Sequence, residues 1–134
     1  MLRNTMAAMA SLLLFVSAVA LADHHEGGKV YELRTYTTNE GKLDALHSRF
    51  RDHTIRLFEK HGMKTVGYWI PVDKSNTLVY MMVHESVAVA DASWKAFFED
   101  PEWQNAYAAS IADGKLVAKV DSVFLRATEY SPLQ

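Results

Sequence analysis

The residues best equipped for chemistry lie on one helix and one strand. Between Glu40 and His61, positions 43, 46, 50, 53 and 57 follow a 3-4-3-4 spacing, which places His53 on the same helical face as Leu43, Leu46, Phe50 and Leu57. An imidazole on a face that must meet a sheet can act as a base, a haem ligand or a substrate hydrogen-bond donor. The alternative is a core histidine satisfied by a tyrosine hydroxyl or a backbone carbonyl. Glu32, Arg34 and Tyr36 alternate along a strand and so share one of its faces. A charged pair on a buried strand face is costly unless it is paired. Two readings fit it: a polar pocket for an acidic or quinone-like ligand, or an ion pair within the chain or across a dimer. Tyr68, Trp69, Tyr80, Trp94 and Trp103 supply aromatic surface for an apolar pocket or for an ordinary core. His84 ends a strand and His61 ends a helix, and both read as surface or cap residues.

Other chemistries find no support. The chain has no cysteine, which removes a disulfide framework, thiolate metal sites and a thiol nucleophile. It contains no G-x-S-x-G, no glycine-rich phosphate loop and no H-E-x-x-H. Asp44, Asp52 and Glu59 fall off the apolar stripe and read as a solvated face. With 14 Lys+Arg against 16 Asp+Glu, the charge balance gives no reason to expect nucleic acid.

These residues need a scaffold, and the patterning supplies one. Lys29 to Thr37 is rich in β-branched and aromatic residues and predicts a strand. A helix from Glu40 to His61 stops at Gly62. Strands follow at Lys64 to Val72 and Thr77 to His84, joined by the turn Asp73-Lys74-Ser75-Asn76. Ser86 caps a helix through Trp94 and Phe98, and Asp100-Pro101-Glu102 restarts it as far as Gly114. Asp121 to Tyr130 is the last strand. The order β-α-β-β-α-β predicts an α+β, ferredoxin-like sheet with two helical segments on one face. Leu78, Tyr80 and Met82 alternate with Val79, Met81 and Val83, so this strand is apolar on both faces. The simplest cover for the second face is another copy, which predicts a homodimer with sheets packed face to face.

Residues 1–22 read as a secretory signal peptide. Arg3 precedes an uncharged stretch centred on Leu12-Leu13-Leu14-Phe15-Val16, and Ala20-Leu21-Ala22 forms a small-x-small cleavage triplet. The apolar core is shorter than the roughly 20 residues of a membrane span, so no stable membrane insertion is expected after cleavage and the location expected is periplasmic or secreted. Residues 23–28 form a polar leader, and 29–134 the domain. Cleavage after Ala22 would free the amine of Asp23 with His25 in third position. Amine, two backbone amides and imidazole would then offer a square-planar set of four nitrogens suited to Cu(II).

Four blocks resemble the NIPSNAP family over about residues 29 to 133. They are Tyr31-Glu32-Leu33-Arg34-Thr35-Tyr36-Thr37, Phe58-Glu59-Lys60-His61-Gly62 leading to Gly67-Tyr68-Trp69, Asp100-Pro101-Glu102-Trp103, and Ser131-Pro132-Leu133. The family is similar to dimeric α/β-barrel proteins, a superfamily of cofactor-free monooxygenases, haem-degrading enzymes, isomerases and proteins without known activity. Animal members resemble two such domains behind a mitochondrial presequence, so their roles are not carried over to this single domain with a secretory signal. With the periplasmic location read from the signal, the resemblance and His53 point to a protein of uncertain activity that binds a small apolar or aromatic molecule between helices and sheet, with cofactor-free oxygenase or isomerase chemistry as one option. The alternative is a non-catalytic homodimer of the cell envelope. His53 is the catalytic candidate, and Glu32, Arg34, Tyr36, Tyr68, Trp69, Tyr80 and Trp94 are the ligand-binding candidates. No cofactor is predicted, with haem and Cu(II) left open.

Overall fold

The computed structural model describes residues 28–134. The expected signal peptide, nearly all of the expected leader and the candidate Asp23/His25 copper site lie outside the described residues. Strand β1 (Val30–Thr38) runs through the middle of a four-stranded sheet of order β2-β3-β1-β4. It pairs antiparallel with β3 (Thr77–His84) on one side and with β4 (Val117–Leu125) on the other, while β2 (Lys64–Trp69) pairs with β3. This is the expected ferredoxin-like α+β arrangement. In the β1–β3 register Arg34 faces Tyr80 and Glu32 faces Met82, so even-numbered residues of both strands share one face. That face lies under the helices.

Two strand limits differ from the expectation. β4 begins at Val117 and ends at Leu125, four or five residues earlier than Asp121–Tyr130. Its register explains the shift: it must span β1 from Thr38 to Tyr31, and Leu116 is buried as the strand enters. β2 stops at Trp69, before Pro71, which has no N–H to offer a ladder.

The first helical segment is α1 (Leu43–Arg49), a π turn (Phe50–Thr54) and α2 (Ile55–Lys60). In the π turn the Ile55 N–H reaches back five residues to the Phe50 carbonyl, and the Thr54 hydroxyl donates to the Arg49 carbonyl at 3.2 Å. α3 (Val87–Glu99) starts as expected, with the Ser86 hydroxyl accepting from the Val89 N–H at 3.1 Å. α4 (Pro101–Ser110) starts on Asp100, whose carboxylate accepts from the Glu102 N–H at 2.9 Å. Asp100 also bonds His61 Nε2 and Lys60 Nζ, both at 2.7 Å, and so ties the end of α2 to the start of α4. His61 is the C-cap of α2, the role expected of it.

The core lies between sheet and helices. Leu46, Phe50, Leu57 and Phe58 from the first segment meet Tyr80 and Met82 from β3 and Phe97 from α3. Phe58 contacts Tyr80, Trp94 and Phe97 with ring centroids 5.0–6.0 Å apart. The opposite sheet face is only half covered. Leu33, Val79, Met81 and Val83 are partly buried, and Val123 and Leu125 are exposed. Trp69 lies on that face with its ring over Gly67, where a Cβ would stand 2.8 Å from the indole.

Candidate functional site: a basic aromatic cavity above a buried carboxylate

Glu32 is 1% exposed and its carboxylate accepts four hydrogen bonds. Oε1 takes Arg34 Nη1 at 2.6 Å and Ser122 Oγ at 2.8 Å. Oε2 takes Trp94 Nε1 at 2.7 Å and His84 Nε2 at 3.0 Å. The fold makes this possible because Ser122 and His84 sit on the neighbouring strands one diagonal step from Glu32, and α3 lowers Trp94 from above. Burial by itself would raise the Glu32 pKa, but the bonds from His84, Trp94, Arg34 and Ser122 outweigh it and bring the carboxyl down to about 2. Glu32 is therefore ionised and fully engaged. His84 is a correction to the sequence reading: it is 5% exposed, neither surface nor cap, because α3 packs over the end of β3.

Arg34 is paired with Glu32 and lies flat against Trp94, 4.2 Å from the ring centroid. Burial pulls its pKa down, yet the charge environment of Tyr80, Tyr36 and Glu32 and the bond to Glu32 hold it above the ordinary value. The Tyr80 hydroxyl donates to the Tyr36 hydroxyl at 3.0 Å, which leaves the Tyr36 proton free.

Beside this cluster a cavity of about 380 Å³ opens between the helices and the β4 edge. Arg34, Tyr36 and Trp94 line it, as three of the sequence candidates. So do Arg49, Phe50 and Thr54 around the π turn, Trp103 and Tyr107 of α4, and Val117 to Val120 of β4. Sequence reasoning missed Arg49. It lies three residues after Leu46, on the flank of the apolar stripe, and that position was the available signal. Arg49 is 6% exposed. Nη1 donates to Ser110 Oγ at 3.1 Å, while Nε is buried with no partner. Its guanidinium lies 5.3 Å from the Trp103 and Tyr107 ring centroids. Burial lowers its pKa, only partly opposed by Tyr36, Tyr107 and Tyr80.

The other candidates are dispersed. Glu32 lies beneath the cavity and Tyr80 is wholly buried, so neither lines it. Tyr68 stacks on Tyr80 and lines a separate recess of about 240 Å³ beyond Phe50, which Trp69 also borders. His53 is exposed and lines neither space. The π turn is the physical reason: it widens the helical repeat, so the inward position after Phe50 falls on Thr54. The roles given to His53 as base, haem ligand or core residue all required the inward face. Among the described residues, no group of three or more His, Cys, Asp or Glu side chains is placed to hold a metal.

The NIPSNAP family model matches residues 31–132. The chain belongs to the NIPSNAP family. Solved structures agree with this. A NIPSNAP family protein of unknown function from Agrobacterium tumefaciens is 24% identical, with 83% of this chain and 98% of that one covered at a TM-score of 0.70. A NIPSNAP-like domain protein from Burkholderia xenovorans is 19% identical, with 81% and 91% covered at 0.69. A candidate antibiotic biosynthesis monooxygenase from Caulobacter crescentus shares the fold at 12% identity, with 78% and 93% covered at 0.57. Among curated proteins none matches. In this NIPSNAP domain no described helix is long and apolar enough to cross a membrane.

Proposed function

We propose that this NIPSNAP domain is an exported protein that binds a small aromatic-bodied molecule in the cavity between helices and β4. The observation that carries the reading is the cavity itself. Its volume falls within the roughly 300–1,000 Å³ of ligand pockets, and its walls are aromatic and aliphatic side chains with Arg34 and Arg49, and with Lys115 and Lys119 on the β4 side. Among the described residues that line it there is no carboxylate and no imidazole. Tyr36, Tyr107, Lys115 and Lys119 are then the groups present for proton transfer, and the lack of a carboxylate or imidazole base favours binding over base-driven turnover. The test is titration of the mature protein with the neutral dye N-phenyl-1-naphthylamine. One site per chain, lost in Ala118→Trp at the cavity mouth, supports the reading. No saturable binding refutes it. N-terminal sequencing of secreted protein tests export, with Asp23 expected first.

The second reading, a homodimeric interaction protein, is favoured by the half-covered sheet face. Leu33, Val79 and Met81 on the inner strands and Val123 and Leu125 on β4 form an apolar row. A second copy would bury it. Light scattering at twice the chain mass supports this reading, and a stable monomer counts against it.

A further inference from the structure

We infer that the ligand of this cavity is a monoanion, a carboxylate on a flat apolar body, and that Arg49 is the residue that selects it. The inference rests on the cavity-binding reading and adds the charge of what is bound. Arg34 already has its counter-ion in Glu32, 2.6 Å away. Arg49 has none: among the described residues it forms no ion pair, and its one side-chain bond goes to a hydroxyl. An unpaired buried cation costs several kcal/mol, and a fold keeps one where something else supplies the opposite charge. The Arg49 Nε–H is buried and unused, beside a guanidinium whose fork suits a carboxylate. The free Tyr36 proton lines the same cavity and can give a further hydrogen bond.

The local backbone points to the same place. Arg49, Phe50 and Thr54 all line the cavity, and they flank or form the π turn. Single π turns inside helices are rare and recur at functional sites, because they re-aim side chains that a regular helix would place elsewhere. Here the turn seats Thr54 inward and closes its hydroxyl on the Arg49 carbonyl. The ligand class follows from charge and shape together. Four cations line the cavity: Arg34 is paired with Glu32, Lys119 is paired with Asp121, Lys115 stands in solvent, and Arg49 is the buried one without a counter-ion among the described residues, so the buried end of the cavity calls for a single negative charge. Trp94, Phe98, Trp103 and Tyr107 offer ring faces and edges to an aromatic body. The volume is near the low end for ligand pockets, which suits one or two rings better than a long acyl chain.

The experiment compares 1-naphthoate with the neutral 1-naphthamide by calorimetry, using mature protein in Tris chloride. The acid should bind the native protein about 10- to 100-fold more tightly, the range for a hydrogen bond to a charged group. Arg49→Met should erase that preference while still binding the neutral dye, and should raise the ligand-free melting temperature. Arg49→Lys should keep part of the preference. If acid and amide bind the native protein equally, or the dye binds and the acid does not, the anion inference is overturned and cavity binding stands. A second copy that places its own carboxylate on Arg49 would give the latter result. If neither dye nor acid binds, the cavity reading fails and this inference with it. The native acid–amide comparison decides the ligand's charge even if Arg49→Met does not fold, and an undiminished preference in Arg49→Lys would overturn Arg49 as the residue that selects it.

Discussion

Replacing Glu32 with Gln tests how the site is held together. The substitution keeps the shape and removes the charge. It cannot satisfy the donors that surround it. The carboxylate accepts from Arg34 and Ser122 on one oxygen, and from Trp94 and His84 on the other. An amide offers one acceptor side and one NH2 side. Ser122 can rotate its hydroxyl and His84 can change tautomer, but neither Arg34 nor Trp94 Nε1 can accept. Whichever way Gln turns, one obligate donor faces another. Arg34 also loses its counter-ion. Breaking a buried pair from one side costs about 3–5 kcal/mol. The lowered pKa provides a second route to the magnitude. A fall from 4.5 to about 2 in Glu32 is worth about 3 kcal/mol of folding free energy at neutral pH. In a domain of this size that lowers the melting temperature by on the order of 15 °C. The sign with pH is fixed as well. A depressed carboxyl contributes stability that is fully present above its unfolded value and is lost as pH falls through its folded one. The gap between native and Glu32→Gln should therefore be full at pH 6 and shrink between about pH 4.5 and 2. Urea unfolding followed by tryptophan fluorescence at several pH values measures it. A gap under about 1 kcal/mol at pH 7, or one that does not change with acid, would refute the account of Glu32 as an ionised, four-bond anchor.

Further expectations concern separate elements. Thr54→Val removes the hydroxyl bond to the Arg49 carbonyl and should cost about 1 kcal/mol in urea unfolding. Its acid–amide preference should also fall, because the π turn aims Arg49. Ser86→Ala removes the α3 cap and should cost about 1 kcal/mol with dye affinity unchanged. Met81→Asp should place a charge in the apolar sheet face, and on the homodimer reading light scattering should then fall from twice the chain mass to the monomer. His53→Ala should leave both stability and dye binding unmoved, since the ring is exposed outside the cavity; a large loss of either would restore a role for it.

Much of the fold was legible because each element carried its own local signal. Alternation in β1 and β3 assigned the parity of Glu32, Arg34 and Tyr36, and the Ser86 and Asp100 caps marked the helix starts. The ion pair between Glu32 and Arg34 was one of two readings of two charges on a buried face. What was illegible depended on distant chain. Trp94 and Ser122 lie 62 and 90 residues from the glutamate they bond, and no periodicity joins them. His84 looked terminal because a strand end is exposed until a helix packs over it. His53 failed for a more instructive reason. The 3-4-3-4 spacing assumes a regular helix, and the π turn breaks that assumption between Phe50 and Thr54. Arg49 was passed over because a charged side chain beside an apolar stripe usually extends to solvent.

The buried anchor and the open cavity depend on each other. A two-layer domain of this size gains most from filling the space between its layers. On the β3 side it does so, with Leu57, Phe58, Tyr80 and Phe97 all essentially inaccessible. On the β4 side it does not. There Arg34 and Arg49 stand where two aliphatic side chains would close the gap, and β4 remains exposed along most of its length. Such a gap would invite α3 and α4 to settle onto the sheet unless something held them at a set height. Glu32 provides that hold, because Trp94 Nε1 meets its carboxylate at 2.7 Å and fixes α3 at the distance the bond requires. Asp100 does the same at the joint between α3 and α4, through His61 and Lys60 of the first helical segment. The polar anchors thus act as spacers. Loss of Glu32 should destabilise the domain and also collapse the cavity, whereas loss of Arg49 should stabilise the empty domain and remove only its selectivity. These opposite signs for two buried charges within one layer separate the group that holds the site from the group that uses it.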